Sequence, residues 1–216
     1  MPKRKSIRIV PHCRPVSLLS AHSNAFKTAL TMPQFRVQTV MVLITIVLFL
    51  LMVAINEWLF KHAEFLPGIN WIYLPAGIRL LSTLLFGGAG AIGLLIVSWL
   101  VSFLYFFPDD FMRAFVGGIV ATIAPYGVYK LAQQAFGLHA SLANLTPGRL
   151  LICIVACSVA SPLLHHLWFA LHGDPQPLLS GFLVMFVGDL NGTLLVVYGV
   201  KAGLYLVSRH SGRTSS

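Results

Sequence analysis

From Val37 to Phe60 the chain meets no charged residue until Glu57, and further apolar runs follow with short interruptions to Val207. A run of about 20 apolar residues is what carries a helix across the roughly 30 Å hydrocarbon core of a bilayer. In 216 residues, five or six such crossings and their loops use up the chain. Only 10% of the residues are charged, against about 25% in soluble domains. The expectation is an all-α membrane protein, a polytopic bundle of about six transmembrane helices. No room is left for a soluble catalytic domain. No Walker-type glycine loop and no His-Glu-x-x-His motif occurs, and no serine, acid and histidine fall at a catalytic spacing. No catalytic residue, metal-ligand set or cofactor is expected.

The spans read as Val37–Phe60, about Trp71–Phe86, a third up to Phe107, about Ala114–Phe136, about Leu150–Leu171 and about Leu178–Val207. Breaks fall at Lys61, at Gly87, Gly88 and Gly90, at Pro108-Asp109-Asp110, over Gly137–Arg149 with Asn144, and at His172–Pro177. The second span is about 24 Å long at 1.5 Å per residue, and it contains Pro75. It is short for a crossing, as a broken, tilted or re-entrant segment is. Pro125 and Pro162 mark kinks. Three units follow: a basic N-terminal arm over 1–35, expected to be disordered, an integral membrane domain over 36–207 and a short tail over 208–216. Met32 is an alternative start.

The net charge of +9 is concentrated in the arm, where Lys3, Arg4, Lys5, Arg8, Arg14, Lys27 and Arg36 precede the first span. A basic arm flush against a membrane helix signals topology and grips anionic headgroups. It carries no interleaved aromatics of the kind that bind nucleic acid, and no nucleic-acid partner is expected. With six crossings, the arm, Arg149, Arg209 and Arg213 share one side. The positive-inside rule then places both termini in the cytoplasm. Cys13, Cys153 and Cys157 give no disulfide framework. The last two share a helix face with Ser161 and read as close-packing residues.

Within this apolar background, Arg79 and Asp189 stand out. An arginine at membrane depth costs about 2.5–3.5 kcal/mol on insertion scales, so it needs a partner or a watery cavity. By position in their spans both residues lie roughly 12–17 Å from the same surface. Equal depth and opposite charge predict an Arg79–Asp189 pair, direct or through Asn191. His165 and His166 lie nearer that surface. Being adjacent, they point about 100° apart and cannot chelate one metal, so one can face a pocket while the other faces a neighbouring helix. Asn56 and Glu57 could rim the pocket. Pro75, Gly77, Gly188 and Gly192 are read as helix-break or packing residues beside the pair.

Two segments resemble the bacterial membrane-associated sensor domains of the MASE class, which include the membrane half of hexose-phosphate sensor kinases. Trp71, Pro75, Gly77, Arg79 and Leu80 match its Trp-x-x-x-Pro-x-Gly segment, followed in some members by Arg-Leu. Gly188, Asp189 and Gly192 match its Gly-Asp-x-x-Gly segment in the last span. The resemblance covers about residues 65–205 and departs from the family in span number and in showing no kinase, cyclase or phosphodiesterase domain. It implies a sensor module that signals through a separate protein or a homo-oligomer. The expected function is a non-enzymatic sensory or ligand-binding module, with an intramembrane pocket open to the periplasm and a small anionic ligand. The alternative is a small-molecule transporter or its substrate-binding membrane subunit.

Overall fold

The computed structural model describes residues 16–66, 68–138, 145–172 and 177–213, with side chains described from Gln34 to Arg209 within those ranges. Residues 1–15 of the arm with Cys13, the loop residue Asn144, and Gly173–Gln176 of the expected turn lie outside the described residues. The elements in order are α1 (Val16–Phe60), a 3-10 turn (Lys61–Ala63), β1 (Glu64–Leu66), β2 (Ile69–Asn70), α2 (Pro75–Phe86), α3 (Gly88–Val101), a π-helical turn (Ser102–Phe106), α4 (Phe111–Phe136), α5 (Pro147–Leu171) and α6 (Leu178–Arg213).

The chain divides into two compact units, Met1–Gln38 and Thr39–Ser216. In the first, the backbone is helical from Val16, well before the expected start at Val37 and inside the segment expected to be disordered. Residues 16–32 contain neither proline nor glycine and include several alanines and leucines, which favours helix. All that follows concerns the second unit.

Five helices are long and apolar enough to cross a membrane. Their outward faces carry large apolar side chains such as Ile92, Leu104, Leu131, Leu163, Leu179 and Leu195. Such continuous apolar exposure suits lipid and not water. The remaining helix, α2, has only 12 residues, about 18 Å of helix. It is the most enclosed helix, packed against α6, α3, α4 and α5, and residues Pro75–Leu80 and Ser82–Leu84 are buried.

The second span therefore differs from the expected Trp71–Phe86 helix. Pro75 is not a kink inside it but its first residue, with Leu74 at the N-cap. Proline suits that position because the N–H it lacks would have no helical partner there. The rest of the crossing is made by a small hairpin and a non-helical leader. β1 and β2 pair antiparallel, and Trp71–Leu74 then descends into the bundle. Irregular backbone is tolerated at such depth only where its polar groups are satisfied within the protein. The Trp71 amide donates to the Ala63 carbonyl at 2.9 Å and the Tyr73 amide to the Gly188 carbonyl at 3.1 Å. The Leu74 amide donates to Oδ1 of Asn56 at 2.9 Å.

Gly188 and Gly192 make this descent possible. A Cβ at Gly188 would collide with the Asn70 carbonyl, and one at Gly192 with the Tyr73 carbonyl. They do not break the helix, since α6 runs unbroken through both. Gly77 likewise lies inside α2, against the Val196 side chain. The expected role as helix breaks is corrected to one of close backbone approach: without Cβ atoms, the α6 surface becomes a groove for the leader.

At the far end of α2, Gly87 adopts φ 55°, a left-handed value that favours glycine, and α3 turns back antiparallel. Gly90 sits so close to the Ser82 carbonyl that no side chain fits there. The layer next to this turn contains Leu80, Leu84, Val128, Cys153 and Ile154. On the α1 side, Phe49, Leu74, Ile78, Leu94, Val97 and Val196 form a second cluster. Pro125 and Pro162 lie within α4 and α5, which continue through them. Asp110 caps α4 by accepting from the Arg113 amide at 2.9 Å, and Thr146 caps α5.

Candidate ligand site

Arg79 projects from the second turn of α2 toward α5 and α6. Its Nη2 lies 3.6 Å from Oδ1 of Asp189, and both side chains are about 95% buried. Its Nη1 donates to Oγ of Ser161 at 3.4 Å, and its Cζ stands 5.0 Å from the centre of the Tyr73 ring. The leader that fills the Gly188–Gly192 groove thus brings Tyr73 onto the guanidinium. One fold feature positions both the arginine and its aromatic neighbour.

The pair is loose. A charge-assisted N–H to carboxylate hydrogen bond spans about 2.7–2.9 Å, and this contact is longer. Arg79 Nε and Asp189 Oδ1 have no hydrogen-bond partner among the described residues. Cys157, Ser158, Ser161 and Thr193 surround a small void beside the carboxylate. The guanidinium is therefore charge-neutralised without all its donors being used.

On its other side Arg79 faces a cavity of about 80 Å³, bounded by the leader, α3, the π-helical turn, α4 and α5. A single water needs roughly 10–15 Å³ by a comparable measure, so several waters or a small ligand fit. His165 and Arg113 also line it. The Arg113 guanidinium stacks between Phe107, at 4.6 Å, and Phe169, at 4.9 Å. Among the described residues, the charged side chains that line the cavity are Arg79 and Arg113, with no aspartate or glutamate.

The two histidines part company. His165 faces the cavity, and its Nδ1 lies 2.8 Å from the Ser161 carbonyl. A carbonyl only accepts, so in this contact Nδ1 is the donor. His166 is buried against α6. Its Nδ1 bonds the Pro162 carbonyl at 2.9 Å, its ring meets Phe169 and Phe182 edge-on, and Gly181 leaves room for it.

Asn191 and Glu57 stand apart from the site. Asn191 is exposed on the opposite side of α6 from Asp189, because two residues on a helix are separated by about 200°. Buried Thr193, four residues from Asp189, shares its face instead. Glu57 accepts from the Tyr105 hydroxyl at 2.9 Å on the surface of the bundle, joining α1 to the π-helical turn outside the cavity. Asn56, its neighbour, is turned inward to hold the leader.

The sequence reading gave no site role to Tyr73, Ser98 or Arg113 and saw Ser161 as a packing residue. Ser161, His165 and Phe169 recur every four residues on α5, the one periodic signal that could have grouped part of the cavity wall. No family model, no curated protein and no solved structure matches this chain.

Proposed function

We propose that this protein is a non-enzymatic ligand-binding module of the bacterial inner membrane, sensory in kind, whose cavity opens to the periplasm and takes a small anion. One observation carries the reading: Arg79 lines the cavity while also pairing with Asp189. An anion entering the cavity draws on the same guanidinium and weakens its hold on the α6 carboxylate. Because Arg79 belongs to α2 and Asp189 to α6, the exchange is felt as a shift between two packed helices. A ligand drives such a shift only through its differential affinity for the two arrangements.

The packed layer of Leu80, Leu84, Val128 and Ile154 beneath the pair favours a dead-end pocket over a path through the bundle. The basic residues near the N-terminus and in the loops support a topology with both termini cytoplasmic and the hairpin end periplasmic. The MASE-like segments at Trp71–Leu80 and Gly188–Gly192 support the sensory reading, with signalling through a partner or a second copy.

Accessibility of the cavity tests this. With Cys13, Cys153 and Cys157 replaced by serine, Ala121→Cys places one thiol on the cavity wall. A membrane-impermeant maleimide added from the periplasmic side is expected to label it, and the same reagent inside inverted vesicles is not. Labelling only from the cytoplasmic side contradicts the proposal. Labelling from both sides makes the protein a transporter.

A further inference from the structure

Resting on that ligand-binding reading, the geometry points to a ligand class: we infer that the cavity takes a short-chain monocarboxylate, with its carboxylate on Arg79 and its alkyl body along the apolar wall. Ser161, His165 and Phe169 climb α5 one turn at a time, touching Arg79, the cavity interior and Arg113 in that order. Eight residues of helix rise about 12 Å. The cavity is thus a column with one arginine at its floor and another near its mouth. Arg113 is held there between the Phe107 and Phe169 rings.

The wall between them is apolar, with Phe49, Ile69, Val101, Val120 and Met185. Ser98 interrupts it. This serine is 4% exposed and lines the cavity, and its hydroxyl has no hydrogen-bond partner among the described residues, an arrangement that awaits a polar atom from a ligand or water. A tetrahedral oxyanion needs donors on every side, and against this wall several of its oxygens would be desolvated without partners. A carboxylate needs them at one end only, where the guanidinium fork fits two oxygens. Size narrows the class further. An apolar cavity of about 150 Å³ holds benzene, so about 80 Å³ suits a body of a few carbons.

The test is thermal unfolding of the full chain in lipid nanodiscs with propionate, propionamide or inorganic phosphate at equal concentration. Propionate is expected to raise the melting temperature by several degrees, with no comparable shift from the other two. Gly117→Leu is expected to abolish the shift. Gly117 lines the cavity, and a Cβ there meets nothing within 4 Å, so the leucine fills the space without touching the ion pair. A shift with propionamide equal to that with propionate overturns the inference, because charge is then not recognised. A propionate shift that survives Gly117→Leu overturns it by placing binding elsewhere. Stabilisation by phosphate and not propionate overturns the carboxylate class and leaves the ligand-binding reading standing. If none of the three shifts the wild type, this class fails; an unlabelled Ala121→Cys protein then brings down the ligand-binding reading as well.

Discussion

Arg79 has an anion on one side, a hydroxyl and an aromatic ring beside it, and open space on the other. Its insertion cost is offset by Asp189 at 3.6 Å, yet the pair lacks the short hydrogen bonds that would make it a closed structural pin. Both residues were legible in the sequence because charge is rare at membrane depth and their depths agree. Asn191 was misplaced because depth alone does not say which way a helical side chain points. Asn56 was only half legible, since its role depends on a leader whose path is set by tertiary contacts. That role makes a prediction. Asn56→Ala leaves the buried Leu74 amide without its acceptor, which typically costs about 1–3 kcal/mol. Thermal unfolding in detergent should show this loss. Equal stability of wild type and Asn56→Ala would remove the side chain from the account.

At the scale of elements, the groove on α6 decides how the second crossing is built. Long apolar runs revealed α1, α3, α4, α5 and α6 to within a few residues at most ends. The short second run could not reveal a hairpin, a leader and a helix. Proline restricts the helix on its N-terminal side, but where the preceding residues go depends on the two glycines across the bundle. Neighbouring residues on α6 should therefore respond in opposite ways. Gly192→Ala drives a methyl group into the Tyr73 backbone, and overpacking of this kind costs about 1–3 kcal/mol. Asn191→Ala changes an exposed position and is expected to stay within about 0.5 kcal/mol of wild type. Chemical or thermal denaturation of the two variants checks the contrast. Equal losses at both positions would mean that the leader does not lie in the groove.

For the whole molecule, five helices are long and apolar enough to cross a membrane, and the leader with α2 forms a shorter apolar segment between the first two of them. The membrane class was legible from hydropathy. The cavity was not, because it arises between several elements far apart in the chain, and no single run of sequence encodes that. The proposed orientation, with both termini cytoplasmic, requires that the leader and α2 complete a sixth pass. A fluorescent protein joined to Ser216 should fluoresce in intact bacteria, and alkaline phosphatase at the same place should be inactive. Active phosphatase would reduce the passes to an odd number and put the C-terminus in the periplasm.

The central claim is that Arg79 and Asp189 are energetic partners at the floor of the cavity. A charge-swap cycle tests it most directly: Arg79→Asp, Asp189→Arg and the double swap, each measured by thermal stability after extraction. Leaving one buried charge without its partner typically costs about 3–5 kcal/mol, so each single variant should lose stability strongly. The double swap should recover most of that loss. A double variant no more stable than the worse single, or single variants as stable as wild type, would contradict the pairing and the site built on it.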